Sequence, residues 1–170
     1  MIRAMDPHGH AFIAAASLAP GAGAAGMPFP DHLIRPGIGA GGVRLGMSEG
    51  QVLRVLGRPD HRIATRDDLG AFVRLTWAGI GVIRWDGPGG RVIEITVTDR
   101  GIRMANGVGV GTPLLQARRA LYPATFGSAP TVCTIGEVVP GGAITTLRFN
   151  GWGSATEVTV GRVIDGADFG

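Results

Sequence analysis

An internal repeat constrains the fold of this chain more than any other feature. Residues 83–87 read I-R-W-D-G and run on to E-I-T-V at 94–97, and residues 147–151 read L-R-F-N-G and run on to E-V-T-V at 157–160. Each copy alternates apolar and polar residues and has Asp-Gly or Asn-Gly at its centre, which is typical of two antiparallel strands joined by a tight turn. The chain therefore contains one hairpin pattern twice, with turns that differ in length by one residue.

The duplication extends upstream of each hairpin. Residues 46–56 (GMSEGQVLRVL) match residues 111–121 (GTPLLQARRAL) in register at Gly, Gln, Arg and Leu. Each segment has the apolar spacing of a short helix and is soon followed by a proline, so the unit is predicted to be a helix followed by an antiparallel meander. The sequence thus predicts an α+β fold made of two tandem copies of this unit.

Both predicted helices have start signals. Ser48 and Gln51 have the S-x-x-Q spacing of a capping box, in which each side chain satisfies a backbone N–H of the other residue. In the second copy, Thr112 is the predicted N-cap and Pro113 occupies the first helical position, where its missing N–H costs nothing. The predicted buried stripe of the first helix comprises Val52, Val55 and Leu56.

Composition sets the class of protein. The chain has 170 residues, of which 45% are hydrophobic and 17% charged, which is typical of a globular protein. Each copy is near the lower size limit for an independent core, so the two are predicted to pack as one pseudo-symmetric domain. The net charge is only +3 and the arginines are scattered, which disfavours a nucleic-acid binder. The single cysteine excludes an internal disulfide and a multi-cysteine zinc site.

The N-terminal residues differ from the rest of the chain. Residues 1–24 have a basic residue, a short apolar run and an A-x-A-like spacing of small residues, which is the layout of a secretory signal, although a disordered or mis-started tail is the alternative. We therefore expect a periplasmic or secreted protein, and otherwise a cytoplasmic one. The predicted organisation is a signal peptide over 1–24, a Gly/Ala/Pro-rich linker over 25–42, repeat 1 over 43–106, repeat 2 over 107–164 and a tail over 165–170.

Alternation along the predicted strands assigns side chains to the two faces of the sheet. The face against the helix is predicted to carry the apolar positions of the first meander, namely Val73, Leu75, Trp77, Ile83, Trp85, Ile93, Ile95 and Val97. The opposite, wetter face is predicted to carry the polar positions, namely Arg74, Thr76, Arg84, Glu94 and Thr96.

The repeated unit resembles a known superfamily. The run from Gly46 through Gln51 to Gly57 and Pro59, followed by a meander with Asp-Gly, resembles the small helix-plus-sheet domain of the SmpA/OmlA lipoproteins of outer-membrane assembly. The tandem form, whose second helix ends in Tyr-Pro at 122–123, is similar to the β-lactamase inhibitory protein fold. Over residues 43–163 this resemblance implies an α+β domain without catalytic residues, usually exported, that binds proteins through its sheet and loops. The N-terminal segment has no cysteine for a lipid anchor.

The candidate binding residues lie on the predicted wet face and in one loop. Trp152 falls in the turn 150–154, where no core position exists, and it is predicted either to anchor a protein partner or to fold back on the sheet. The wet face contributes Arg74, Arg84, Arg148, Thr96 and Thr159 as candidate partner-binding residues. The arginines, with Glu94 and Glu157, are alternatively cross-strand ion pairs on a solvated sheet.

Candidates for catalysis are few. Cys133 between Val132 and Thr134 reads as a small buried thiol, and Asp60-His61 near Asp67-Asp68 reads as a polar loop after a helix. No catalytic residue, cofactor or metal site is predicted, and the His8-x-His10 spacing lacks further ligands. The leading hypothesis is a non-enzymatic, exported protein-binding or inhibitor-like module. The alternatives are a small enzyme using Cys133 or Asp60/His61 and a weak nucleic-acid binder through the arginines.

Overall fold

The computed structural model describes residues 30–67, 70–86, 89–121, 124–126 and 131–164, together with the short segments 4–5 and 11–12. The structure does not describe residues 1–3, 6–10 and 13–29, which comprise most of the predicted signal peptide and the first part of the predicted linker. The predicted tail, residues 165–170, also lies outside the described residues. The signal-peptide and tail predictions therefore stay predictions.

The described elements are short strands and two helices. In chain order they are β1 (Ala4–Met5), β2 (Ala11–Phe12), β3 (Leu33–Arg35), β4 (Gly39–Ala40), β5 (Val43–Arg44), α1 (Glu49–Leu56), β6 (His61–Asp67), β7 (Gly70–Trp77), β8 (Ile80–Trp85), β9 (Val92–Val97), β10 (Arg103–Met104), α2 (Leu114–Ala120), β11 (Thr125–Phe126), β12 (Val132–Ile135), β13 (Ala143–Phe149) and β14 (Ala155–Arg162). The mixed α+β class is confirmed.

One antiparallel sheet of eight strands organises the molecule. Its order is β11-β12-β13-β14-β9-β8-β7-β6, so the meander β6 to β9 and the meander β11 to β14 meet at the β9–β14 pair. At that junction Thr96 lies opposite Thr159 and Val97 lies opposite Val158. β1 and β2 pair only with each other, and the remaining four strands form a small sheet in the order β10-β3-β4-β5.

The core lies on one face of the eight-stranded sheet. The helices contribute Val52, Leu56 and Ala117 to it, and the small sheet contributes Ile34, Ala40, Val43 and Met104. The main sheet meets them with alternate residues from both meanders, including Leu75, Val82, Ile95, Leu147 and Val160. Burial of this apolar surface is the main favourable free energy of folding.

The helix starts are partly as predicted. Ser48 and Gln51 form both hydrogen bonds of a capping box, with Ser48 N donating to Gln51 Oε1 at 2.8 Å. In α2 the N-cap is Pro113 rather than Thr112, so that prediction is wrong by one residue. The Thr112 hydroxyl instead accepts a hydrogen bond from Gly109 N at 3.0 Å, which tightens the turn before the helix.

The described part of the segment predicted as a linker is built into the core. Residues 33–35, 39–40 and 43–44 form three of the four strands of the small sheet, and Ile34 and Ala40 are buried. Gly37 N donates to Thr145 Oγ1 at 2.8 Å, which ties this segment to β13 far along the chain. Its glycines indicate tight backbone turns here, not an unstructured connection.

Candidate binding surface

The face of the eight-stranded sheet opposite the helices, called the open face below, carries a rank of polar residues. Successive partners across the strands are Thr125, Thr134, Thr146, Thr159, Thr96, Gly81, Thr76 and His61. Six of these eight positions are threonine, whose branched side chain suits a pleated sheet. Within the described residues, both helices and the small sheet contribute their buried side chains to the opposite face. The middle of the open face is nevertheless buried, since Thr96 is 3% exposed, whereas Arg148 near its end is exposed.

Four predicted binding residues lie on this face. Thr96 and Thr159 are adjacent at its centre, and Arg74 lies opposite Ile83, which in turn lies opposite Glu94. Arg148 lies opposite Glu157 and forms the predicted cross-strand ion pair, with 3.5 Å between Arg148 Nε and Glu157 Oε1. The structure places these residues on one face of the sheet, where Thr96 is only 3% exposed, and their role in binding stays a prediction.

Arg84 does not lie on the open face, so its predicted position is wrong. It points to the helix side, where its Nη2 is 2.6 Å from Glu49 Oε2 at the start of α1, and the residue is 9% exposed. Arg62 on the edge strand β6, which β7 separates from β8, contacts the other oxygen of Glu49 at 3.1 Å. Arg84 therefore fixes α1 on the sheet, and the predicted pairing with Glu94 does not form.

The wrong prediction of the face on which Arg84 lies has a structural cause. The two-residue turn after β7 places Ile80 opposite Trp77, so Ile80, Val82 and Arg84 share the core side of β8. The register also shifts between Ile83 and Arg84, where β9 has an extra residue. Four apolar residues consequently form a second cluster apart from the main core, namely Phe72, Ile83, Ile93 and Ile164. The partly buried Trp85 packs against this cluster. The rings of Phe72 and Trp85 stack at 4.7 Å.

Two buried carboxyl groups flank the central threonines of the open face. Glu94 and Glu157 are each 6% exposed, and the Thr96 hydroxyl lies 3.3 Å from Glu94 Oε1. The pKa of Glu94 is raised to about 7, chiefly by burial and also by the nearby Glu157, while Arg74, the Thr96 hydroxyl and Arg148 act in the opposite direction. Burial also raises the pKa of Glu157, with Arg148 acting in the opposite direction.

We expect the stability of the protein to depend on the protonation of Glu94. A carboxyl whose pKa is raised by folding favours the folded state below its unfolded pKa, near 4.5, and this contribution is lost as the pH rises through about 7. Glu94→Gln should therefore be more stable than the wild type at about pH 8, by up to roughly 3 kcal/mol, and the difference should shrink towards pH ~4.5. Urea denaturation at both pH values measures it.

A matched control separates this effect from a general change of charge. Glu137 is an exposed glutamate that is not one of the two buried carboxyl groups of the open face. Glu137→Gln should therefore leave the difference in unfolding free energy between the two pH values unchanged. An equal response of both variants would contradict the assignment to Glu94.

Trp152 is presented on a loop that its own backbone and Asn150 hold in place. Its side chain is 93% exposed, so the alternative in which it folds back on the sheet is excluded. Asn150 Oδ1 accepts from Trp152 N at 3.1 Å and from Ser154 N at 3.0 Å, and Gly153 N donates to Asn150 O at 2.9 Å. A large aromatic held out by a preorganised loop loses little conformational entropy on binding.

Leu115, at the start of α2, is an exposed residue that the sequence pattern did not single out. It is 68% exposed, whereas Ala117 is the buried residue of this helix. Leu114 N donates to Gly153 O at 2.7 Å, and Pro113 pairs with Ser154, so the start of α2 adjoins the Trp152 loop. The run Leu114-Leu115 left its buried side ambiguous, and only the packing of α2 resolves it.

The candidate catalytic groups are not assembled into a site. Cys133 is 0% exposed, and burial raises the pKa of its thiol to about 11, so the nucleophilic thiolate is disfavoured at neutral pH. His61 begins β6 and Asp67 ends it, which separates them by the length of an extended seven-residue strand. Among the residues that the structure describes, no group of three His, Cys, Asp or Glu side chains is placed to hold a metal ion.

The burial of Cys133 predicts a slow thiol. In the native protein, labelling by a thiol reagent such as a maleimide should be at least about a hundred-fold slower than in urea, since the folded state must open to expose the sulfur. The time course of intact mass measures the rate. Rapid native labelling would contradict the buried placement and favour thiol chemistry.

Comparison with known proteins identifies no relative. No family model, no curated protein and no solved structure matches this chain. In the part of the chain that the structure describes, no helix has the length and apolar character needed to cross a membrane.

Proposed function

We propose that this protein is a non-enzymatic, exported binding or inhibitor-like module of the bacterial envelope that recognises another protein. The observation that carries the proposal is the 93% exposure of Trp152 on a loop fixed by its own hydrogen bonds. Tryptophan is among the residues that contribute most binding energy in protein interfaces. Exposing so large an apolar group to water has no benefit for the fold, which favours a role in binding.

The open face extends the proposed surface. Its accessible members are Arg148, which is exposed, and Arg74 and Thr159, which are partly exposed, whereas Thr96 and the two carboxyl groups between them are buried. Such a mixture suits a polar, specific interface better than a dry apolar one. The buried thiol of Cys133 and the separation of His61 from Asp67 favour binding over catalysis.

We also infer that the chain is a tandem duplication packed as one pseudo-symmetric domain. Thr96 and Thr159 are equivalent positions of the two repeats and lie opposite each other at the β9–β14 junction. Their neighbours follow a two-fold relation, since Val97 pairs with Val158 while Ile95 pairs with Val160. These registers support a two-fold axis between the two threonines. The same arrangement supports the relationship to the β-lactamase inhibitory protein and SmpA/OmlA superfamily as a proposal.

Cell fractionation and affinity capture test the proposed function. The full chain, expressed with a C-terminal tag in a bacterial host, is expected in the periplasm or medium with about the first 24 residues removed, as judged by intact mass. A saturable complex with a purified envelope protein, captured on the tagged module and then reconstituted, is the expected second result. An intact chain in the cytosol would contradict export, and the absence of any saturable complex would contradict the binding function.

A further inference from the structure

The turn between β8 and β9 in the first repeat is the counterpart of the Trp152 loop in the second repeat, so the two can be compared. In the first repeat Ser48, before α1, pairs with Arg91 after the β8–β9 turn, and in the second repeat Pro113, before α2, pairs with Ser154 after the β13–β14 turn. Each helix start is thus joined to the hairpin turn of its own repeat. We name these two places the first corner, residues 46–56 with 86–91, and the second corner, residues 111–121 with 150–156.

The two corners differ in exposed apolar side chains. The second corner exposes Trp152 at 93% and Leu115 at 68%. None of the exposed large hydrophobic residues belongs to the described part of the first corner. Because the backbone pairing is alike in both corners, the scaffold does not require these exposed groups. Their presence in one corner alone is a property of the second repeat.

The two corners also differ in charge. The first corner contains two acidic residues, Glu49 and Asp86, and two arginines. The carboxylate of Glu49 forms salt bridges with Arg84 and Arg62. The second corner contains two arginines, Arg118 and Arg119, and no acidic residue. Both arginines are exposed and follow Leu115 by three and four positions, which places them on the same side of α2 as Leu115. An apolar pair is therefore bordered by positive charge.

We propose that the second corner is the docking site of the module and that its partner is an acidic protein surface with an apolar pocket. This inference rests on the proposed binding function and names the chemistry of the partner. Trp152 and Leu115 would fill the pocket, and carboxylates at its edge would face Arg119. Aromatic anchors supply affinity in such interfaces, and complementary charges at the rim supply orientation and rate of association.

A randomised peptide library selected on the full chain tests the proposed chemistry. The selected peptides are expected to combine Asp or Glu with large apolar residues and to bind more weakly as ionic strength rises. Their affinity should fall at least about ten-fold in Trp152→Ala, and roughly three-fold or more in Arg119→Glu. Fluorescence anisotropy of labelled peptides measures both changes.

Two control variants distinguish an effect at the second corner from a general effect of charge or of exposed apolar surface. Arg54 is the exposed arginine at the position of α1 that corresponds to Arg119, and Arg54→Glu should leave peptide affinity within about two-fold of the wild type. Ile63, which is 55% exposed on β6, supplies the control for loss of an exposed apolar group, and Ile63→Ala should also have no effect. Equal losses in Arg54→Glu and Arg119→Glu would overturn the assignment to the second corner.

Three further results would contradict the inference in different ways. Trp152-dependent peptides that lack acidic residues would overturn the partner chemistry and leave the binding function intact. A failure to select any Trp152-dependent peptide would overturn the inference and the anchoring role of Trp152 together. Binding to phosphatidylglycerol vesicles that is as tight as peptide binding and lost in Trp152→Ala would replace the protein partner by a lipid surface.

Discussion

Trp152→Ala should weaken binding of the protein partner by about 2 kcal/mol or more while leaving the melting temperature nearly unchanged. The side chain is 93% exposed, so its removal takes almost no buried apolar area from the folded state. The loop itself should persist, because Asn150 and the backbone form its hydrogen bonds and the Trp152 ring is not part of them. Calorimetric titration with the reconstituted partner measures the affinity, and thermal unfolding measures stability.

The contrast between affinity and stability is what makes this variant informative. A melting temperature lowered by more than about 5 °C would show that Trp152 contributes to the core, contrary to its exposure. Unchanged affinity would show that the interface does not include Trp152. Arg148→Ala, which removes an exposed partner of Glu157, should have a smaller effect on affinity than Trp152→Ala.

Gly39→Ala should destabilise the protein by roughly 2–3 kcal/mol, the upper range for inserting an atom into packed surroundings. A Cβ atom at Gly39 would lie 2.0 Å from the carbonyl oxygen of Val43 and 2.8 Å from the Cα of Arg44. These are backbone atoms of the strand paired with β4, so no side-chain rotation relieves the clash. Denaturation with urea should show a lower midpoint than in the wild type.

Gly50→Ala is the matched control for that substitution. Gly50 lies in α1, its Cβ would meet nothing within 4 Å, and alanine is the better helix former. We expect Gly50→Ala to stabilise the protein by about 0.5–1 kcal/mol. If Gly39→Ala were as stable as the wild type, residues 33–44 would not be the packed small sheet that the structure contains.

The repeat in the sequence predicted the elements of the fold well because hairpins and caps are local. Asn-Gly with alternating residues around it specifies the β13–β14 hairpin, and Ser48 with Gln51 specifies the start of α1, both within a few residues. The core side of β7 was also correct, since Val73, Leu75 and Trp77 alternate with polar residues. Trp152 stood out because its turn offered no buried position.

Only the tertiary structure shows on which side of the sheet Arg84 lies. β8 carries apolar residues on both faces, so alternation alone does not say which face meets the helices. The turn after β7 and the register shift beside Ile83 decide it, and Glu49 from α1 then completes the contact with Arg84.

The sequence by itself determined the α+β class, both helices and the hairpins of the meanders, since the signals for these elements act over neighbouring residues. Only the tertiary structure decided that residues 33–44 pack on the core, that the two meanders share one sheet through β9 and β14, and that the second corner differs from the first in exposed apolar groups and charge. These features depend on contacts between segments far apart in the chain, and such contacts are selected by the burial of the whole core rather than by any local pattern.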